Sequence, residues 1–468
     1  MGGGPLGGER SMAKTSENQV PLEETRLTDR LVSFVSDTRG EDLPPTTLVN
    51  AKHLILDTIG VTLTAATHDV GRIITRFALD TTGQPANATI FGTKEKASAT
   101  KAALANGTMA NALDYDGGGH LPTHLLPTVL AVAEQEGLSG HDVLTAFILA
   151  YEASNKLTKV IESKRRSGGS SPTKRGWWHV GLVGPIATTL AASRLMGLDK
   201  QRMAAAVGIS TASSAGFRRN MGTMSKALSS GNSAAAGIDA AVLAARGFTG
   251  DPEILEAPMG FVHSVAPPEE RETTAVTDGL ANPYALAKFP GVKNIPAVSP
   301  AHVLIDAAIQ LRASEKFAIE DIESVHAAMT PLSLFRTNPT DEESAGFCGE
   351  FLISLALVHG AVTLELYRDE VLHDPQIRSL MSLVKNTKAS EMNGHTLVIK
   401  LKGGREVTSD VKAGGQRLSD LDSILAKFDY CAGKAVSKKA VGTIRNLVLD
   451  LENQASIGPL MEAVGGRV

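Results

Sequence analysis

The segment DYDGGGHLPTH, residues 114–124, places Asp114, Asp116, His120 and His124 around three consecutive glycines. Three chemistries suit that combination. Histidines four apart match a helical metal pair, a glycine triplet can turn backbone N–H groups toward a phosphate, and carboxylates beside imidazoles can move protons near neutral pH. Pro122 and the glycines oppose a regular helix through both histidines, and HExxH occurs nowhere in the chain. The loop also lacks the GK[ST] ending of a P-loop and follows no predicted strand of a βαβ unit. The acid–base reading leads, and no metal is expected.

Proton chemistry on a carboxylic acid needs a base, an acid and cations to hold the charge. Two further segments offer them. His179 stands in GWWHVG (176–181) beside two tryptophans able to exclude water, although a structural histidine is the plainer reading. FRRNMGTMSK (217–226) gathers Arg218, Arg219 and Lys226, which suit carboxylate binding as well as they suit a solvated loop. The Gly/Ser-rich basic stretch SKRRSGGSSPTKRG (163–176) reads first as a surface excursion and second as a flap over an anionic substrate.

The elements that must carry these groups are mostly helical up to about residue 262. TTLVNAKHLILDTIGVTLTAA (46–66) has apolar positions at three- and four-residue steps, and Ser139 to Asp142 forms a capping signal before the run through Ile161. Residues 179–215 continue the pattern with a break at 197–199. A strong helix former, 232–246, stops at Gly247, and Asp251-Pro252-Glu253 signals another helix start. Beyond about residue 270 the texture changes. IESVHAAM (322–329) reads as a strand, and TLVIKLKGGREVTSDV (396–411) as two strands about a Gly-Gly turn, with helices at 301–313 and 349–365. The expected organisation is mainly α: a disordered tail over 1–22, a helical domain from 23–270 and 415–468, and an inserted α+β lid over 271–414.

Composition agrees with a soluble protein larger than one ordinary core: 468 residues, 43% hydrophobic and 21% charged. A net charge of −4 gives no basic footprint for nucleic acid, and no apolar run reaches a membrane span. Aromatics are only 4%, which favours close packing of small-faced helices. Two cysteines, Cys348 and Cys431, are too few for an iron–sulfur cluster and read as free thiols of a cytoplasmic chain.

Taken in order, several segments resemble the MmgE/PrpD family of 2-methylcitrate dehydratases, cis-aconitate decarboxylases and iminodisuccinate epimerases. They are ANGTMANALDYD (105–116), the loop to His124, LAVAEQEGLSGHDVLTAFILAYEASNKL (130–157), GWWHVGLVGP (176–185), SSAGFRRNMGTMSKALSSGNSAAAGIDAAVLAARGFTG (213–250) and KFPGVKNIPAVSPAHVLIDAA (288–308). The resemblance implies a homodimer of two-domain subunits with an active site between the domains and no metal or organic cofactor. It also implies that Asp114, His124, His179, Lys226 and Lys288 line the site. Asp114 and the histidines would handle protons, and the lysines would bind substrate carboxylates. His302 falls where a family histidine is common; Arg218, Arg219 and His120 join the substrate-binding candidates from charge and position.

The chain departs from the family pattern at three places. The loop reads DYD-GGG, with Gly118 where relatives carry a side chain; KALS (226–229) puts Ser229 in place of a histidine; and Phe351 stands where some members have a tyrosine. The last two remove possible proton donors. The expected function is a lyase that dehydrates or decarboxylates a small di- or tricarboxylate by abstracting a proton alpha to a carboxylate. A dicarboxylate epimerase and a non-catalytic carboxylate binder are the alternatives.

Overall fold

The computed structural model describes residues 26–162, 172–266, 276, 279–329, 335–411 and 417–466. The expected tail over 1–22 and the basic stretch 163–171 lie outside the described residues. Among the described residues nine helices account for most of the first half: α1 (Leu27–Asp37), α2 (Pro45–Ala65), α3 (Asp69–Asp80), α4 (Ala99–Ala112), α5 (Pro122–Glu136), α6 (Gly140–Glu162), α7 (His179–Leu195), α8 (Lys200–Ser210) and α9 (Met224–Ala245). A two-stranded ribbon, β1 (Ala88–Thr89) with β2 (Lys96–Ala97), lies between α3 and α4.

Small residues explain how these helices pack. Gly231 on α9 sits so close to α4 that a Cβ there would fall 2.2 Å from Thr108 Oγ1 and 2.3 Å from the Leu104 carbonyl. The alanine- and glycine-rich faces let the two backbones approach, as the low aromatic content suggested. The Ser139 cap is reciprocal: Asp142 N–H donates to Ser139 Oγ, and Ser139 N–H and Oγ donate to the Asp142 carboxylate. Helix α9 ends beside Gly247, whose φ of 88° is the left-handed stop expected there. Asp251-Pro252-Glu253 differs from expectation and forms turns only. Asp251 caps Glu253 N–H, but after one turn the chain reverses, and Phe261 N–H donates to the Ile254 carbonyl.

The α+β portion contains α10 (His302–Ser314), α11 (Gly349–His359), α12 (Pro375–Leu383) and a four-stranded sheet. Its strands are β3 (Ile322–Ala327), β4 (Val384–Asn386), β5 (Leu397–Leu401) and β6 (Glu406–Ser409), in the order β4-β3-β5-β6. β3 runs parallel to β4 and antiparallel to β5, with Val325 opposite Val384 and Ile399; the β5–β6 hairpin turns at Gly403 and Gly404. Helix α11 stops at His359 rather than 365, because Gly360 takes a left-handed φ of 69°. The chain then returns to the helical portion as α13 (Leu421–Ala432), α14 (Lys438–Leu449) and α15 (Gly458–Gly465). The fold is mainly α.

Two cores result. The first joins helices from both chain ends, including Leu54, Ile59, Phe147, Phe428 and Val448, and extends through Leu286 and Val292. The second runs from Ile295 through Val407 and borrows Trp178, Val180 and Met221 from the helical portion. Residues 281–292 stay with the first core because Glu152 accepts from Ala281 and Ala285 N–H, and Asn50 Nδ2 donates to the Leu286 carbonyl. The chain thus changes cores between Val292 and Ile295, later than the composition shift near 270. Among the described residues no helix is long and apolar enough to cross a membrane.

Candidate active site

The loop that carries the site is held from below by a buried ion pair. Asp57 on α2 and Lys427 on α13 approach to 2.6 Å with almost no solvent contact. Each also grips the loop: Gly117 N–H donates to Asp57 Oδ2 at 2.9 Å, and Lys427 Nζ donates to the Tyr115 carbonyl at 2.7 Å. Gly117 is required by space, since a Cβ would meet Val292 at 2.7 Å. Asp114 and His120, which bracket the glycines, take positive φ values of 48° and 68°, conformations that cost non-glycine residues free energy and concentrate at functional sites. Neither Asp57 nor Lys427 carries a sequence signal of function; their partnership spans nearly the whole chain.

Asp114 is the electrostatic centre. Lys226 Nζ lies 2.6 Å from one carboxylate oxygen and Lys293 Nζ 2.7 Å from the other, all three side chains being buried. Burial opposes ionisation, but Lys226, Lys293 and His120 outweigh it and hold Asp114 well below the usual carboxylate range. Burial pulls the Lys293 ammonium down, with Asp114 acting against it. Helix α9 supplies Lys226 from its first turn, and the segment after Val292 supplies Lys293, so the two cores meet at one carboxylate. Lys226 also lies over Trp178, 5.6 Å from the ring centroid.

His120, His124 and His179 take different positions. His120 precedes α5, and its Nδ1 is 2.7 Å from Asp116 Oδ2. His179 begins α7 and donates Nε2–H to the Gly119 carbonyl at 3.1 Å. His124 lies inside α5 and is fully buried, with neither ring nitrogen hydrogen-bonded. Burial, reinforced by His179 and His120, pushes its pKa down to about 3. His124 is therefore a neutral ring behind the site.

A cavity of about 170 Å³ opens over this cluster, with Asp114, His120, Trp178, His179, Arg218 and Lys226 on its walls. Arg218 donates to the Thr173 carbonyl at 3.2 Å. Arg219 is exposed and absent from the cavity wall; its carbonyl accepts from Arg336. Lys288 is also exposed, just beyond the turn Ala285–Ala287, and is absent from the cavity wall. The lysine facing Asp114 is Lys293, five residues on, because the chain leaves the first core only after Val292. His302 is buried one layer back, bonded to the Ala297 carbonyl, and burial beside Lys293 pushes its pKa down to about 4. Ser229 lines a different hollow with Gly216 and Asn220, and Phe351 is fully buried in the second core. Gly118 opens no space for substrate: Pro122 and Leu54 stand 3.0 and 3.3 Å from where its Cβ would be.

Comparison with known proteins agrees with this architecture. Residues 29–274 match the MmgE/PrpD N-terminal domain, and residues 295–453 match the MmgE/PrpD C-terminal domain. The chain belongs to the MmgE/PrpD family. The gap between the two MmgE/PrpD matches contains Val292, where the chain leaves the first core. Cis-aconitate decarboxylase of Homo sapiens is 24% identical over 91% of this chain and 92% of the relative. Cis-aconitate decarboxylase of Aspergillus terreus is also 24% identical, over 93% and 95%. 2-Methylcitrate dehydratase of Escherichia coli is 25% identical over 70% and 71%.

Proposed function

We propose that this MmgE/PrpD chain is a cofactor-independent lyase that takes a proton alpha to a carboxylate of a small di- or tricarboxylic acid. Dehydration of a citrate-like hydroxy acid such as 2-methylcitrate is the leading reaction. One observation carries the reading: Asp114 bridges Lys226 and Lys293 at the base of a cavity walled by imidazoles. The two ammonium groups are balanced by two buried carboxylates, Asp114 and Asp116, and Arg218 on the wall supplies the excess positive charge. A polycarboxylate entering this site meets the cations it needs.

The chemistry follows from that charge. A proton beside a carboxylate is weakly acidic because its removal concentrates negative charge on the carboxylate oxygens. Preorganised ammonium groups stabilise that charge where it develops. Lys226, on the cavity wall, fills this role; Lys293 stands behind it, giving its N–H donors to Asp114 and the Ala297 carbonyl, Asp114 fixes the position of Lys226, and an imidazole on the wall receives the proton. On this reading His124, buried behind the site, has a supporting role, and Arg219 and Lys288, exposed and off the cavity wall, make no substrate contact. Trp178 beside Lys226 keeps water away from the charge as it forms.

Decarboxylation of a cis-aconitate-like acid is the second reading. The matches to cis-aconitate decarboxylases run over more of this chain than the match to the bacterial dehydratase. An epimerase would use the same deprotonation and release nothing. A homodimer belongs to this reading too, supported by exposed apolar side chains at Phe217, Leu243, Phe248 and Met259. So does a cytoplasmic location, supported by two unpaired, buried thiols.

The test is a panel of 2-methylcitrate, citrate, cis-aconitate and smaller dicarboxylates, read by product mass. Loss of water or carbon dioxide from one member is the expected result, with Lys226→Met inactive. Isomerisation at unchanged mass would favour the epimerase. Binding without any product would favour the non-catalytic alternative.

A further inference from the structure

We propose that His120, held by Asp116, is the base that takes the α-proton and returns it to the departing hydroxyl. The inference rests on the lyase reading above and assigns a group that reading leaves open.

Geometry selects His120 among the site's imidazoles. Asp116 is a buried carboxylate that can only accept, so His120 Nδ1 carries the proton and donates it at 2.7 Å. The other nitrogen, Nε2, is then the basic one, and it lies 3.8 Å from Asp114 Oδ1, on the side where the lysines gather. The Trp178 ring stands edge-on at 6.1 Å, so the imidazole is held between the Asp116 carboxylate and an aromatic wall. A carboxylate behind an imidazole orients it, selects its tautomer and stabilises the imidazolium formed when it takes a proton. His179 donates Nε2–H to the Gly119 carbonyl, so its basic nitrogen is Nδ1, and the group accepting its N–H is a neutral carbonyl rather than a carboxylate. His124 does not reach the cavity.

The charged and titratable groups around His120 are Asp116, Asp114, Lys226 and His124. Burial, assisted by Lys226, lowers its pKa despite the two carboxylates. It is neutral in the resting site, as a base must be.

The step balances with one group. His120 Nε2 takes the proton from the α-carbon, and the C–H electron pair moves onto the carboxylate as an enolate facing Lys226. That pair then forms the carbon–carbon double bond as the carbon–oxygen bond breaks. The imidazolium gives its proton to the leaving oxygen, water departs, and His120 is neutral again. Such a relay needs no separate donor. This explains how the chain can work with Ser229 in another hollow and Phe351 sealed in the second core.

The experiment uses the full chain and whichever acid of the panel the wild type consumes. His120→Ala is expected to lower kcat at least a hundredfold with KM changed less than threefold. Added imidazole should restore part of that kcat, rising with pH as free imidazole loses its proton. Asp116→Asn should lower kcat at least tenfold and displace the acidic limb of the kcat–pH profile. Melting temperatures within a few degrees of wild type establish that both variants fold. Retained kcat in folded His120→Ala, or loss without imidazole rescue while Asp116→Asn keeps the wild-type pH profile, overturns the assignment and leaves the lyase reading intact. Failure of the wild type to consume any acid of the panel overturns the lyase reading instead, and the proposed relay with it.

Discussion

Lys427, near the end of the chain, places its ammonium 2.6 Å from the Asp57 carboxylate, near the beginning, directly beneath the loop that carries Asp114 and His120. Removing the cation strands a buried carboxylate whose pKa burial already raises despite Lys427. Lys427→Met should destabilise the protein by about 3–5 kcal/mol, the usual cost of breaking a buried pair from one side. Denaturant unfolding checks this, and Asp57→Asn combined with Lys427→Met should recover part of the loss. Equal stability of Lys427→Met and wild type would contradict the role given to the pair.

Lys293 and Lys288 are five residues apart and should behave oppositely. Lys293→Met leaves Asp114 with one cation and should lower kcat/KM at least a hundredfold, comparable to losing a charge-stabilising donor from an oxyanion site. Lys288→Met removes an exposed cation and should leave kcat/KM within about twofold, in line with the small effects of surface charges. Parallel steady-state kinetics separate them.

His124 makes the fold sensitive to acid. Its pKa is about 3 in the folded chain, whereas an unfolded histidine titrates near 6.5. Between these values the unfolded state binds more protons, so stability must fall as pH drops through 6.5 and continue falling toward 3. At pH 5 the loss from this residue alone is about 2 kcal/mol. Asp114 acts lower on the scale: its depressed folded pKa contributes stability present above the unfolded value near 3.9 and lost as pH falls through the folded one. Unfolding curves at pH 5 and pH 7 should differ less for His124→Asn than for wild type.

Much of this was legible from local sequence. Helical periodicity, the Ser139 cap and the Gly247 stop placed α2, α6 and α9, because each depends on residues within a few positions of one another. The Gly-Gly hairpin placed β5 and β6 for the same reason. The fourth strand of the sheet, β4, was not visible: three residues carry no periodicity, and its pairing with β3 is parallel and distant. At the site, Asp114, His120, His179, Arg218 and Lys226 could be named because they cluster in sequence with glycines and aromatics, and all five line the cavity. Lys293 was missed because Lys288 occupies the same segment, and only the place where the chain changes cores decides between them. Asp57 and Lys427 were beyond reach, since nothing local distinguishes a buried ion pair from two surface charges.

Arg218 offers a test of carboxylate binding apart from proton transfer. Arg218 lines the cavity with Asp114, and its Nη1 donates to the Thr173 carbonyl. Arg218→Ala should raise KM about tenfold or more while leaving kcat within a few-fold, as expected for a charged contact worth about 1.5–3 kcal/mol. A fall in kcat with KM unchanged would place Arg218 in the chemistry rather than in binding.

The central claim is that the Lys226–Asp114–Lys293 cluster makes the α-proton of a bound polycarboxylate removable. The most direct measurement is proton NMR in heavy water of wild type, Lys226→Met and Lys293→Met with the acids of the panel. Loss of the α-proton signal from at least one acid with wild type, accompanied by product, and its persistence with both variants is the predicted result. An α-proton that stays in every acid with wild type, or that exchanges equally fast without either lysine, would contradict it.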